Sequence, residues 1–389
     1  MRPKHRILRL LCDEGPLSRA EIGDRLGLPR TRVVADLERL TAGGLVQAAG
    51  SAASRGGRRS TLVEVHPDIR FAGIDLGVTS IDIEITDGRL KPIAAFGEAA
   101  DVRSGPKNVL SRVNAIMAKL RAEGAYERLN GIGIGVPGPV SFRDGVPVSP
   151  PIMPGWDRYP VRELLAREHN CPVVVDNDVN IMAMGERCAG IARSAENVLF
   201  VKIGSGVGCG IFIGGELYRG PDGCAGDIGH IQVELDDPMC TCGHTGCLEA
   251  LFSGIALERD ATVAGRSGTS TALAERLATR GSVTAKDVAE CAADGDTVAT
   301  RLIRDGGGRL GSVLAGLVSF INPSMIVIGG GLAGLGHVLL GEVRSAVYRR
   351  SLPLATGNLP VVLSELGARA GVAGASFLAS DLAFAEAAV

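Results

Sequence analysis

The sequence predicts an α/β protein in which a small winged helix-turn-helix precedes a duplicated α/β domain with a cleft between its halves. Three observations predict this. Three short apolar-periodic segments are punctuated by Gly15-Pro16, Gly27 and Gly43-Gly44, and two β-rich runs follow them. Two strand–glycine-turn–strand units, FAGIDLGVTSIDIEITDG from Phe71 and VLFVKIGSGVGCGIFIGGEL from Val198, recur about 125 residues apart. Finally, residues 1–66 hold 12 Arg and Lys against 7 Asp and Glu, a surplus of five, although the whole chain carries −2. A basic module on an acidic body points to a polyanion partner for that module.

Ile7, Leu8, Leu10 and Leu11 recur at helical spacing up to Gly15-Pro16. Ser18 with Glu21 three residues on reads as a capping box for a second helix, Arg19 to Leu26, which stops at Gly27. A third helix begins at Pro29 or Arg30 and carries Val33, Val34, Leu37 and Leu40 as far as Gly43-Gly44. Arg30, Thr31 and Arg32 lie at its exposed start, where base edges are read. A strand from Leu45 and a returning strand, Thr61 to Val65, frame the loop GSAASRGGRRS, whose Arg58 and Arg59 suit a wing reaching phosphates or a minor groove. The competing reading is a three-helix protein-interaction module with a disordered loop. Basic residues at both helix start and wing favour DNA.

The length of 389 residues suits two or three domains with sizeable cores. The N-terminus MRPKHRILRLLCDEG lacks the apolar run of a signal peptide, so the nine cysteines read as thiols of a reducing cytoplasm. The longest apolar stretch, Gly311 to Gly336, is split by Asn322-Pro323-Ser324, which argues against a membrane span.

Within the duplicated domain, glycine turns at Gly77-Val78-Thr79-Ser80, after Asp75, and at Gly204-Ser205-Gly206 expose backbone N–H groups that can cradle phosphates. Each alone is more often a plain tight turn. Val173 to Val175 form a short strand that delivers Asp176-Asn177-Asp178 to the head of a helix, a position that points into the cleft of an α/β fold. Asp178 there can accept a hydroxyl proton and Asn177 can bond a neighbouring hydroxyl, unless Asp178 merely caps the helix. Thr297 to Ser319 reads as a helix and Met325 to Ile328 as a strand. Gly329-Gly330-Gly331 then makes a turn able to pass under an adenosine, and Ala368 to Ala388 is a terminal helix.

The most specific stretch is Gly223 to Ala250. Cys240, Cys242 and Cys247 fall in a C-x-C-x4-C pattern with His230 ten residues upstream, a donor set that can close a tetrahedral zinc shell. Such a metal would fix a loop too polar to fix itself and aim Asp227 and Glu249 at a common point. The alternative is three chance cysteines in a turn.

Together the winged helix, Asp75-Leu-Gly-Val-Thr79, GVPGPV, Asn177-Asp178, Gly204-Ser205-Gly206, GDIGH at 226–230, the three cysteines, Glu249 and Asn322-Pro323 through Gly331 resemble the ROK family of repressors and sugar kinases. The resemblance implies a two-lobed actin/hexokinase-like ATPase fold, with residues 1–68 as the winged helix-turn-helix, 69–185 and 186–367 as the lobes, and 368–389 as a helix packing back on the first lobe. It implies sugar contacts from Asn177, Asp178, Asp227, His230 and Glu249, with Asp178 as catalytic base in an active enzyme. Nucleotide contacts would come from Asp75, Gly77, Thr79, Gly204, Ser205, Gly206 and Gly329 to Gly331, and a structural zinc from His230, Cys240, Cys242 and Cys247.

Three departures from the family's kinases matter. Val78 and Ser80 stand where a glycine and a lysine are usual, Asp227 replaces a glutamate, and the winged helix is absent from the pure kinases. The reading is therefore a cytoplasmic, sugar-responsive repressor of carbohydrate genes. It would bind operator DNA as a homodimer or dimer of dimers and take a sugar or sugar phosphate as effector. The alternative is an ATP- and Mg²⁺-dependent glucokinase-like or N-acetylhexosamine kinase-like enzyme carrying a DNA-binding arm.

Overall fold

The structure, a computed structural model, describes residues 2–51, 60–236 and 238–387. It forms two compact units, Met1–Ser149 with Met153–Ile181 and Gly371–Val389, and Pro150–Ile152 with Met182–Ala370.

The first unit opens with α1 (Pro3–Glu14), which has proline in its first turn and ends at Gly15, whose φ of 90° no other residue adopts cheaply. After β1 (Leu17–Ser18), the capping box forms as read. Ser18 Oγ accepts the Glu21 N–H at 3.3 Å, and Glu21 Oε2 accepts the Ser18 N–H at 2.8 Å. This starts α2 (Arg19–Leu26), and α3 (Arg30–Ala42) follows Pro29. β2 (Val46–Ser51) and β3 (Thr61–Val65) pair antiparallel, and β1 adds to β3, so the small sheet has the order β1-β3-β2. Two residues are too short to show a period, which is why β1 is invisible in the sequence. Arg58 and Arg59 lie outside the described residues.

A five-stranded sheet follows. β4 (Arg70–Leu76), β5 (Ser80–Asp87) and β6 (Pro92–Ala99) form an antiparallel meander. α4 (Pro106–Ala122) then leads to β7 (Gly131–Val136), which lies parallel to β4. The small hairpin β8 (Val140–Ser141) and β9 (Val146–Pro147) and the helix α5 (Val161–His169) precede β10 (Val173–Asn177), parallel to β7. α6 (Asp178–Cys188) starts directly at the end of β10.

The second unit repeats the plan. β11 (Val198–Ile203), β12 (Val207–Ile213) and β13 (Glu216–Tyr218) are the meander. Four helices, α7 (Leu248–Leu251), α8 (Gly254–Arg266), α9 (Thr271–Arg280) and α10 (Ala285–Ala293), precede the long α11 (Thr297–Ile321). β14 (Met325–Gly329) then pairs parallel to β11, α12 (Gly336–Arg350) and α13 (Pro353–Thr356) follow, and β15 (Val361–Leu363) pairs parallel to β14. The sheet orders β6-β5-β4-β7-β10 and β13-β12-β11-β14-β15 match strand for strand and in polarity, so the duplication read from the two glycine hairpins is real. α8, α11 and α12 pack a single apolar core against the second sheet.

The chain ends in α14 (Ala370–Ala387), which lies on β4 and β7. Glycines make this approach: a β carbon at Gly133 would meet the Ala375 carbonyl oxygen at 1.9 Å, and one at Gly73 would meet that of Val372 at 2.1 Å. Among the described residues no helix is long and apolar enough to cross a membrane.

Candidate functional site

The loop after β13 carries the donor set. His230, Cys240, Cys242 and Cys247 each offer one ligand atom, and these four atoms lie within 4.8 Å of one another. The Cys242 and Cys247 sulfurs are 3.7 Å apart, and Cys240 Sγ is 3.4 Å from His230 Nδ1. Donors at about 2.3 Å around a tetrahedral zinc are separated by about 3.8 Å, which these two separations approach. Burial and hydrogen bonding act differently on the three thiols. It raises the Cys240 thiol and pushes Cys247 up to about 12, whereas hydrogen bonds from His244 and its neighbouring thiols outweigh burial at Cys242 and bring it down to about 6. The arrangement is consistent with a structural metal site.

The loop is held by its backbone as well. Val233 and Glu234 N–H groups both reach the Gly246 carbonyl, at 2.8 and 3.2 Å, and Arg309 of α11 pairs with Glu234 at 2.8 Å. With its Nδ1 turned to the thiols, His230 directs Nε2 the other way, 3.9 Å from Asp227 Oδ1. Asp227, His230 and Glu249 therefore gather beside the cluster, within one unit. Burial raises the Glu249 carboxyl, and the Val207 N–H bond only partly offsets this.

Glu249 does more than the sequence suggested. Its Oε2 accepts the Val207 N–H at 2.9 Å, and a β carbon at Gly206 would meet the same oxygen at 2.5 Å. The second glycine hairpin is thereby built around this carboxylate, which gives Gly206 a structural reason for having no side chain. Gly204 is pinned from the other side, where the Gly254 N–H donates to its carbonyl at 2.7 Å. Gly329 and Gly330 are also explained by packing, because β carbons there would meet Phe200 Cζ and the Ile203 carbonyl oxygen, each at 2.5 Å. Gly331 faces open space.

The first hairpin is closed on itself. Gly77 N–H donates to Ser80 O at 2.9 Å, the Thr79 and Val78 carbonyls accept from Ala100 and Val102 at 3.0 and 3.1 Å, and Ser80 Oγ donates to Asp82 at 2.9 Å. Trp156, fully buried, clasps the same segment by donating from its indole N–H to Val102 O at 3.0 Å. Trp156 was not singled out from the sequence as a site residue; its isolation as the single tryptophan was the available signal. Asp75 sits at the head of α14, where a β carbon at Gly371 would meet its Oδ2 at 1.9 Å.

At the end of β10, Asn177 is the residue that caps α6. Its Oδ1 accepts the Val179 and Asn180 N–H groups at 2.9 and 3.3 Å, and its Nδ2 donates to Gly138 O at 2.9 Å. Three of its four hydrogen-bonding positions therefore serve the fold, leaving one amide hydrogen for a ligand. Asp178 is 5% exposed, and its Oδ1 accepts the Val179 N–H at 2.8 Å.

In the winged helix, Arg30, Thr31 and Arg32 are all exposed on the first turn of α3. Arg32 is not wholly free: its Nε donates at 2.7 Å to Asp36, a fully buried carboxylate one turn on. The other Asp36 oxygen is buried without a hydrogen-bond partner among the described residues.

Comparisons with known proteins agree with this arrangement. The profile of the MarR family matches residues 2–60, and that of the ROK family matches residues 71–382. A putative xylose repressor of Caldicellulosiruptor sp. (strain Rt8B.4) is 32% identical over 98% of this chain and 96% of its own. A solved ROK family glucokinase from Streptomyces griseus, in complex with glucose and AMPPNP, is 30% identical with a TM-score of 0.71, covering 80% of this chain and 99% of its own. A ROK family transcriptional regulator, described as a homolog of the E. coli MLC protein, shares the fold over 99% of this chain and 96% of its own, at 24% identity and a TM-score of 0.83. The chain belongs to the ROK family, and it is related both to that family's sugar-responsive transcriptional regulators and to its sugar kinases.

Proposed function

We propose that the protein is a sugar-responsive, DNA-binding transcriptional regulator, acting as a repressor of carbohydrate genes. The observation that carries this reading is the folded winged helix, with its capping box and exposed Arg30, Thr31 and Arg32, joined to a sugar-kinase-like body. A pure kinase has no use for such a module. In this reading α3 enters a major groove, Arg30 to Arg32 read base edges, and Arg58 and Arg59 contact phosphate. Because one winged helix buries limited surface, a dimer or dimer of dimers on a roughly palindromic site supplies the specificity.

The effector is a hexose-type sugar, neutral, N-acetylated or phosphorylated. Asp227, His230 and Glu249 supply its hydroxyl partners, with Asn177 and Asp178 as the further groups implied by the family. His230, Cys240, Cys242 and Cys247 would hold a structural zinc, which would supply rigidity to the loop that bears Asp227, His230 and Glu249.

Phosphoryl transfer is weak or lost. Asp178 could serve as base, and Asp75, Gly77, Thr79, Gly204 to Gly206 and Gly329 to Gly331 are the candidate contacts for ATP and Mg²⁺. Yet the Gly77 N–H is already given to the Ser80 carbonyl, and Val78 stands where close approach to a phosphate is needed. Duplex selection from random DNA, followed by mobility shift with glucose, xylose, N-acetylglucosamine and their phosphates, tests the regulator reading. Failure to select any sequence contradicts it.

A further inference from the structure

The winged helix shares one apolar core with the first five-stranded sheet and α14. Ile7, Leu8 and Leu11 of α1 and Val65 of β3 belong to the same buried cluster as Ile69, Phe71, Ala379 and Phe384. The connection between β3 and β4 is only His66 to Ile69, and Ile69 is itself 2% exposed. Two polar contacts flank this core. In one, Arg89, in the turn between β5 and β6, donates from Nε to the Cys12 carbonyl at 3.5 Å, and a β carbon at Gly15 would meet its guanidinium at 3.0 Å, so it covers the end of α1. In the other, the side chains of His5, Arg9 and Asp381 converge. His5 Nε2 and Arg9 Nη2 lie 2.9 and 3.4 Å from the same Asp381 Oδ1, and Arg9 also donates to Ser380 Oγ at 3.0 Å.

Arg9 is committed to this spot. Its guanidinium stacks 4.1 Å from the Phe377 ring centroid and its side chain is 14% exposed, so it is withdrawn from any phosphate. An arginine on a DNA-binding module that is buried against another element serves that element. Burial pushes the Asp381 carboxyl up, but the His5 hydrogen bond and the Arg9 charge outweigh it and hold it below the usual carboxylate range. The carboxylate is therefore ionised wherever the protein is folded at neutral pH. α14 also begins at Asp75, about 15 Å from Asp381 along the helix at 1.5 Å per residue. One rigid element thus joins the first glycine hairpin to α1.

We propose that Asp381 is a positioning residue for DNA recognition: with His5 and Arg9 it clamps α1 to α14, so that the recognition helix moves with the first α/β sheet and does not swing on a linker. The inference rests on the DNA-binding reading for its consequence, but not for the clamp. A tethered winged helix would lose register freely between two half-sites, whereas a clamped one holds α3 at a fixed orientation for a given state of the sheet.

The test uses the full-length chain and two variants, Asp381→Asn, which keeps shape and removes charge, and Arg9→Lys, which keeps charge and removes the planar fork. Hydrogen exchange is followed in α1 to α3 and in β4, β7 and β11, and affinity is measured for a duplex selected by the wild type and for an unrelated duplex. Both variants should exchange about tenfold faster in α1 to α3 alone, and lose about tenfold in affinity for the selected duplex with little change for the unrelated one. Unchanged exchange in α1 to α3 overturns the clamp. Faster exchange spread equally through β4, β7 and β11 also overturns it, because Asp381 would then be a general stabilising residue. If the wild type selects no duplex, the DNA-binding reading fails, while the exchange data still decide the clamp.

Discussion

Glu249 Oε2 accepts the Val207 N–H at 2.9 Å, so the residue two places after Cys247 anchors the second glycine hairpin. The cysteine-bearing loop and the hairpin are thereby one mechanical piece. Glu249→Gln retains an acceptor for Val207 but loses the charge, whereas Glu249→Ala loses both. The Gln variant should therefore keep most of its thermal stability and lose about tenfold or more in sugar affinity, and the Ala variant should lose both. Calorimetry with the sugar panel, beside thermal melts, checks this. Equal affinity in all three proteins would remove Glu249 from the ligand site.

Metal removal should act through the same piece. Purified protein is expected to hold about one zinc per chain, and Cys242→Ser or a strong chelator should release it. Because the loop carries Asp227, His230 and Glu249, sugar affinity should fall about 10- to 100-fold, with a lower melting temperature. Elemental analysis and calorimetry on the same samples decide the matter. Sugar binding that is intact in metal-free protein would contradict the coupling.

The Arg32–Asp36 pair separates reading from folding. Arg32→Ala leaves a fully buried carboxylate unpaired, so it should destabilise α3 by about 1–3 kcal/mol as well as relax base preference. Adding Asp36→Asn should restore part of the stability and none of the preference. Denaturant melts and duplex selection on the single and double variants distinguish the two effects.

Acid should loosen the winged helix in a defined direction. A carboxylate whose folded pKa is depressed stabilises the protein above its unfolded value, about 4, and loses that contribution as pH falls through the folded value. The melting-temperature gap between wild type and Asp381→Asn should therefore be full at neutral pH and close below about pH 4. A gap that persists at acid pH would mean that the charge is not what holds α1.

Much of this was legible in the residues, for reasons that differ from place to place. The capping box of Ser18 and Glu21 is a local device whose partners lie three residues apart, so the sequence contains the whole of it. The cysteine spacing likewise carries its own geometry. The duplication showed because both hairpins need glycine at their turns. What stayed hidden depends on distant partners. Gly206 and Gly330 read as ligand contacts, yet Glu249 and the Ile203 carbonyl demand them from across the fold. Asn177 read as a hydroxyl partner, but it is engaged mainly in capping α6. β6 is an edge strand whose run PIAAFGEA has no clear alternation, and Arg9 looked like one more basic residue of a DNA-binding arm.

The central claim, a regulator built on a kinase-like body, is tested most directly by one paired measurement on the full-length protein. Binding to its selected duplex is followed by mobility shift across the sugar panel, and ADP release is followed with the same sugars and ATP. The account predicts a discrete shift that one sugar changes, with ADP release absent or far below that of a dedicated kinase. Sugar-dependent ADP turnover abolished by Asp178→Asn, together with no sequence-selective DNA binding, would contradict it.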